Sequence, residues 1–268
     1  MPQKFEQLGL IGCGLMGGSF ALALKRAGRV RRVVGYSKSP STLDQALRMG
    51  VIDVTASSAL LAASRSDLIL LAVPVAATAD TLEAIRRVVG PQALIMDVGS
   101  TKADVVATAR CTLKDDIGKF VPCHPIAGSE LSGVEHASAN LYDGVQVVLT
   151  PIERTRTRQL HRATALWQTL GCQVRVMSPQ AHDAAFAAVS HLPHLLAFAL
   201  MNAMKEQADG DEYLSLAGPG FADFTRIAAA SPRMWRDIFS ANQRELLAQV
   251  AHFKQALQQL ETLITSSD

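Results

Sequence analysis

The sequence has little of what marks secreted, membrane-spanning or nucleic-acid-binding proteins. Its four cysteines are scattered without a Cys-x-x-Cys pair, which favours free thiols in a reducing cytoplasm over disulfides. Residues 1–7 lack an apolar signal core, and no uninterrupted apolar stretch reaches the length of a bilayer span. With a net charge of +2 and no block of Lys and Arg, we expect neither a nucleic-acid partner nor a membrane partner.

The clearest motif that the sequence does contain is a glycine-rich turn near the N-terminus. Gly12, Gly14 and Gly17 follow an apolar strand at G-x-G-x-x-G spacing, and residues 15–27 continue as a predicted helix. The first glycine permits a tight turn, the second admits a pyrophosphate, and the third lets the helix pack on the strand. Because this turn opens a series of strand–helix units, it predicts a dinucleotide site at the helix N-terminus rather than a purely structural turn.

Apolar runs alternate with helical segments through the first half of the 268-residue chain. This alternation predicts an α/β fold with a parallel, doubly wound sheet. Its strands are predicted at 8–11, 32–36, 67–73, 93–98, 120–123 and 145–149. We place the domain boundary at residue 150, so that residues 151–268 form a mainly helical second domain in which Pro193 kinks or interrupts a helix.

The second strand indicates which cofactor is preferred. Twenty positions beyond Gly17, where an NAD-binding fold carries an acid for the ribose 2′-hydroxyl, the chain has Ser37, followed by Lys38. Lys38 taken alone suits a solvated loop, but the missing acid favours NADP over NAD, with NAD still possible.

Three later stretches carry side chains suited to chemistry: residues 123–130, residues 189–194, and residues 223–226 together with 231–236. His124 follows a strand at the carboxyl edge, where imidazole suits general acid–base chemistry near pH 7. His182, His191 and His194 could instead bind a metal, but their spacing matches no common zinc pattern, and we predict no metal site.

Six motifs taken together resemble the prephenate/arogenate (cyclohexadienyl) dehydrogenase family of tyrosine biosynthesis. They are G-C-G-L-M-G-G-S at 12–19, D-V-G-S-T-K at 97–102, H-P-I-A-G-S-E at 124–130, S-H-L-P-H at 190–194, D-F-T-R at 223–226 and S-P-R-M-W at 231–235. The resemblance spans nearly the whole chain in order. It implies a Rossmann-type sheet followed by an all-helical dimerisation domain, and a cyclohexadienyl substrate that undergoes oxidative decarboxylation with hydride transfer to NAD(P).

The resemblance also assigns roles to individual residues. His124 would deprotonate the ring hydroxyl, Ser100 would hydrogen-bond that histidine near the nicotinamide, and Arg226 would bind a substrate carboxylate. Further substrate contacts would come from His194, Ser190 and Glu130. The cofactor site would comprise Gly12, Gly14, Leu15, Met16, Gly17, Ser37, Lys38, Val73, Pro74 and Ser100.

Two alternatives stay open at this point. The first is another two-domain NADP-dependent dehydrogenase, acting on a β-hydroxyacid or an imine. Such enzymes rely on a lysine in the helical domain, whereas residues 181–200 carry histidines and no lysine. The second is a catalytically silent NADP-binding regulator.

The final helix predicts assembly. Leu246, Val250, Phe253, Leu257, Leu260 and Ile264 recur at heptad spacing. Residues 195–200 are also apolar nearly all round one helix, and so small a domain would struggle to bury both surfaces. We therefore predict a homodimer built from helices near 195–204 and 246–264.

Overall fold

A computed structural model describes residues 4–128 and 131–266. The chain forms two compact units, the first ending at His182 and the second beginning at Asp183. The first unit contains the strands β1 (Phe5–Ile11), β2 (Val30–Tyr36), β3 (Val54–Thr55), β4 (Leu68–Leu71), β5 (Leu94–Asp97), β6 (Phe120–Val121), β7 (Cys123–Pro125), β8 (Gln146–Leu149) and β9 (Gln173–Val176). Its helices are α1 (Leu15–Arg26), α2 (Pro40–Arg48), α3 (Ala59–Ala63), α4 (Thr78–Ile85), α5 (Ala103–Leu113) and α6 (Thr157–Thr169).

Six strands form a parallel sheet in the order β3-β2-β1-β4-β5-β6. Residues of one strand alternate between two apolar cores: Leu68 and Leu70 lie in one core, and Ile69 and Leu71 in the other. A strand that is buried on both faces reads as a continuous apolar run, which is why β4 and β5 could be predicted.

The predicted strand at 145–149 is real, but it belongs to a second sheet. Residues 146–149 form β8, which pairs antiparallel with β7 and parallel with β9 in the order β7-β8-β9. Because β9 and α6 pack with the first unit, that unit extends to residue 182, whereas the sequence placed the boundary at 150.

Helices make up the described part of the second unit. α7 (Pro179–Phe186) crosses the boundary and leads into a π turn at Ala187–His191. The remaining helices are α8 (Leu192–Lys205), α9 (Gly210–Ser215), α10 (Pro219–Thr225), α11 (Pro232–Ala241) and α12 (Gln243–Ser266). Pro193 does not end the helix, because it lies in the first turn of α8, immediately after the hydrogen-bonding pattern changes.

The helical stretch Pro179–Lys205 departs from one expectation. Within the described residues it is the one helix long and apolar enough, by length and composition alone, to cross a membrane. The sequence did not predict a stretch of this length because His182, Asp183 and His191 interrupt its apolar residues.

Candidate active site

The carboxyl ends of four neighbouring strands lie side by side at one edge of the large sheet. Ile11 of β1 is level with Tyr36 of β2 and with Leu71 of β4, which in turn is level with Asp97 of β5. Open parallel sheets bind their ligands at this edge. The residues predicted to bind cofactor follow these strand ends directly.

The glycine turn packs more closely against its neighbours than any side chain would allow. Gly12 has a φ of +98°, and a Cβ there would lie 2.2 Å from the carbonyl oxygen of Ala72. A Cβ on Gly17 would lie 2.1 Å from the carbonyl oxygen of Gly12. Neither position tolerates a side chain, so strand, turn and helix pack at the distance that only glycine allows.

Gly14 differs, because an added Cβ would meet no described atom within 4 Å. It caps the N-terminus of α1, and the first turn of that fully described helix carries no acidic side chain. Bare N–H groups at the positive end of a helix, facing open space, suit a diphosphate. The residues present therefore fit a dinucleotide.

The other predicted cofactor residues line the same edge. Leu15 and Met16 open α1, and the backbone nitrogen of Val73 would lie 3.2 Å from a Cβ on Gly12, with Pro74 next in the chain. The loop after β2 is ordered: the hydroxyl of Ser37 accepts a hydrogen bond of 3.3 Å from the backbone N–H of Ser39. The Lys38 side chain is exposed.

A buried ion pair joins the loop of Ser100 to the strand of His124. Lys102 is fully buried and contacts Asp97, whose side chain is 5% exposed. The Lys102 ammonium also donates to the carbonyl of Cys123 at 2.9 Å, while the Cys123 N–H donates to Asp97 at 3.0 Å. The pair thus holds both backbone groups of the residue before His124, and it holds both ends of the loop that carries Ser100.

His124 lies in β7, with its imidazole half-buried. Its Nδ1 is 2.8 Å from Nε2 of His182, a fully buried residue of α7. The two rings meet edge to face, with centroids 5.0 Å apart. The Nδ1 atom of His124 is thus engaged by a buried residue of the same unit.

In the second unit, His194 lies parallel to the indole of Trp235, with ring centroids 3.6 Å apart and an interplanar angle of 20°. A carbonyl can only accept, so Nδ1 of His194 donates the 2.9 Å hydrogen bond to the backbone oxygen of Ser190. Burial is the main cause that lowers the pKa of His194; the bond to Ser190 opposes it, and the charge of Arg226 lowers the pKa further. This histidine is therefore neutral near pH 7 and offers Nε2 as an acceptor.

The three histidines considered as metal ligands serve separate contacts. His182 binds His124, His194 contacts Ser190 and Trp235, and Nδ1 of His191 is 3.1 Å from the amide nitrogen of Asn242. In the part of the chain that the structure describes, no group of three or more His, Cys, Asp or Glu residues could hold a metal ion. Glu130, predicted to contact substrate, lies outside the described residues.

Comparison with known proteins decides the family. Residues 20–176 match the model of the prephenate dehydrogenase nucleotide-binding domain, and residues 178–268 match that of its dimerization domain. The chain belongs to the prephenate dehydrogenase family. It is therefore a dehydrogenase with a nucleotide-binding domain and a dimerisation domain, as the sequence motifs implied.

Three members of the prephenate dehydrogenase family are similar to this chain over nearly their whole length. Cyclohexadienyl dehydrogenase of Zymomonas mobilis is 33% identical, over 98% of this chain and 90% of that protein. Prephenate dehydrogenase of Aquifex aeolicus, solved with hydroxyphenyl propionate and NAD+, is 34% identical with a TM-score of 0.93, over 100% of this chain and 93% of that one. Synechocystis arogenate dehydrogenase is 31% identical with a TM-score of 0.81, over 97% and 92% of the two chains.

Three features of the site were missed from the sequence. The sequence contains a signal for the pair of Asp97 and Lys102, because two charged residues bracket a Gly-Ser turn at the end of an apolar strand. No sequence signal indicates the contact of His182 with His124, because 58 residues separate them. Trp235 lies in a quoted motif, yet its stacking on His194 depends on how α11 packs against α8.

Proposed function

We propose that the protein oxidatively decarboxylates prephenate, arogenate or both with hydride transfer to NAD(P), in tyrosine biosynthesis. The observation that carries this proposal is His124, which lies just beyond the carboxyl end of β6 of the dinucleotide-binding sheet and has its Nδ1 in contact with His182. Membership of the prephenate dehydrogenase family supports it. Substrates of this type carry a ring hydroxyl on the carbon that loses hydride and a carboxylate on the opposite ring carbon.

The chain's own residues account for the proton and the charges. Nε2 of His124 accepts the hydroxyl proton as hydride leaves the same carbon, and it returns the proton once loss of carbon dioxide has made the ring aromatic. Before substrate binds, Ser100 on the adjoining loop hydrogen-bonds Nε2 of His124, and the substrate hydroxyl then takes its place. When bound, the nicotinamide supplies the hydride acceptor. A positioned base of this kind contributes a rate factor of roughly 10²–10⁴.

Most of the proposed substrate contacts come from the second unit. Arg226 is exposed and presents a planar guanidinium that matches a carboxylate with two parallel hydrogen bonds. The neutral His194 offers Nε2 as an acceptor, and Trp235 fixes the plane of its ring. Ser190 and Glu130 complete the proposed substrate contacts.

The proposed cofactor preference is NADP, with NAD as the second choice. Ser37 and Lys38 follow β2, where a carboxylate would repel a 2′-phosphate, and the exposed Lys38 ammonium supplies a positive charge instead. Ser37→Asp should shift the ratio of kcat/KM toward NAD, because its charge opposes the phosphate and its oxygens accept the ribose hydroxyls. Strong preference of the wild type for NAD would refute this interpretation of the loop.

One experiment tests the reaction itself. Steady-state kinetics with prephenate and with arogenate, each with NAD and with NADP, should show substrate-dependent formation of the reduced cofactor. The ratio of kcat/KM between the two substrates separates a keto preference from an amino preference. Binding of cofactor without turnover of either substrate would favour a silent cofactor-binding regulator.

The proposed homodimer interface consists of the helices near 195–204 and 246–264. Every residue from 251 to 266 is exposed in the single chain, including Phe253, Leu257, Leu260 and Ile264, which are 38%, 45%, 57% and 79% exposed. Apolar surface of this extent on one helix face is typical of a protein interface. The match of residues 178–268 to a dimerization domain supports this assignment. Free thiols support a cytoplasmic location.

A further inference from the structure

His182 is held rigidly before it reaches His124. It lies in α7, where its backbone N–H donates to the carbonyl of Ser178 at 3.0 Å, and the Ser178 hydroxyl accepts from the N–H of Ala181 at 3.1 Å. The His182 ring is 0% exposed. A fully buried ring on an anchored helix turn has few alternative rotamers, so its Nε2 is a fixed point of contact for Nδ1 of His124.

The direction of this hydrogen bond determines which nitrogen of His124 can act as a base. A hydrogen bond between two neutral imidazoles needs one donor and one acceptor. If Nδ1 of His124 donates, its Nε2 keeps the lone pair that takes a proton; if Nδ1 accepts, Nε2 carries hydrogen and cannot act as a base. The tautomer of a functional histidine is set by the partner of its other nitrogen.

We infer that His182 is a positioning residue, which accepts the Nδ1 hydrogen of His124 and so holds Nε2 unprotonated and aimed at the substrate hydroxyl. The inference rests on the proposed role of His124 as the base. The Asp97 and Lys102 pair fixes the backbone before His124, and His182 fixes the imidazole ring. Neutral histidine in water favours hydrogen on Nε2, so the pair would impose the less common tautomer.

Two substitutions and a matched control test the role in turnover. His182→Leu removes the acceptor, and kcat should fall about 10- to 100-fold, the usual loss when an outer partner of a functional histidine is removed, with substrate KM nearly unchanged. His182→Gln should restore most of kcat, because its amide oxygen falls close to the position of Nε2. Gln159→Leu serves as control: it removes a buried 2.9 Å hydrogen bond to Ala93 at the opposite edge of the sheet, and it should leave kcat near normal.

A second measurement does not depend on turnover. Nitrogen-15 NMR of histidine-labelled wild-type protein, assigned by comparison with His124→Asn, should show hydrogen on Nδ1 of His124. In His182→Gln this tautomer should persist. Hydrogen on Nε2 of His124 in the wild type would overturn the inference, even if His182→Leu fails to fold. An equal loss of kcat in His182→Gln and His182→Leu would also overturn the inference, as would the same loss in the Gln159→Leu control. Absence of turnover by the wild type would refute the proposed function instead. The NMR result alone would then decide whether His182 sets the tautomer of His124.

Discussion

Breaking the buried pair of Lys102 and Asp97 should destabilise the protein far more than breaking a surface pair. Lys102→Met keeps the length of the side chain but leaves the Asp97 carboxylate, 5% exposed, without its ammonium. Removing one partner of a buried pair costs about 3–5 kcal/mol. For a unit of this size, each kcal/mol lowers the melting temperature by about 2–4 °C, so we expect a loss of about 6–20 °C.

The assay is thermal unfolding of the cofactor-free protein at pH 7, followed by circular dichroism. Arg31→Met is the control, because it breaks the pair with Glu6 in the same unit, where the two side chains are 75% and 72% exposed. That variant should melt within about 2 °C of the wild type. The double variant Asp97→Asn/Lys102→Met should recover about half of the loss, since no buried charge remains. A shift in Lys102→Met no larger than in the control, or a double variant that melts lower still, would refute the reasoning.

Four further predictions concern the proposed site and the assembly. His124→Asn should lower kcat by at least about 10²-fold with cofactor Kd near normal, as measured by single-turnover kinetics and cofactor titration, and retention of more than about a tenth of turnover would exclude it as the base. Arg226→Ala should mainly raise the substrate KM. Arg226→Lys should raise the KM as well, because lysine lacks the planar guanidinium; an unchanged KM in Arg226→Ala would place the carboxylate site elsewhere. Phe253→Asp with Leu257→Asp should yield unstable or aggregated protein by light scattering, because each charge would be buried at the interface, whereas a wild type that is monomeric at micromolar concentration would refute that interface. An aromatic disulfide reagent should modify only Cys111 in the native protein, because burial raises the pKa of the other three thiols; rapid labelling of more than one thiol per chain would contradict this.

The sequence pattern was enough to predict those parts of the fold that depend on residues close together in the chain. β4 and β5 are continuous apolar runs, and the glycine turn precedes a helix. Ser231 before Pro232 is a pattern typical of a helix start, and the Ser231 hydroxyl accepts from Met234 at 3.4 Å. Each of these depends on residues that are neighbours in the chain.

Pairing between distant segments was not predictable in the same way. The apolar pattern of β8 fits either sheet, and only its antiparallel register with β7, which pairs His124 with Val148, places it in the small one. The residues of the candidate site divide in the same way into predictable and unpredictable ones. The glycines and His124 stand in recognisable motifs, whereas the contact of His182 with His124 depends on tertiary packing alone.

The π turn at Ala187–His191 sets the rotational position of every later side chain in this helical segment. A π turn accommodates one more residue than an α-helical turn would. If the same residues closed as an ordinary α-helix, every later side chain would rotate by about 100° and shift by about 1.5 Å. His194 would then leave the face of Trp235, although no residue of that pair had changed. Deleting one residue of the turn would instead leave His194 close to its present position, because the turn holds one residue more than an α-helical turn needs. The contact of His194 with Trp235 therefore depends on the turn keeping its π hydrogen bonding.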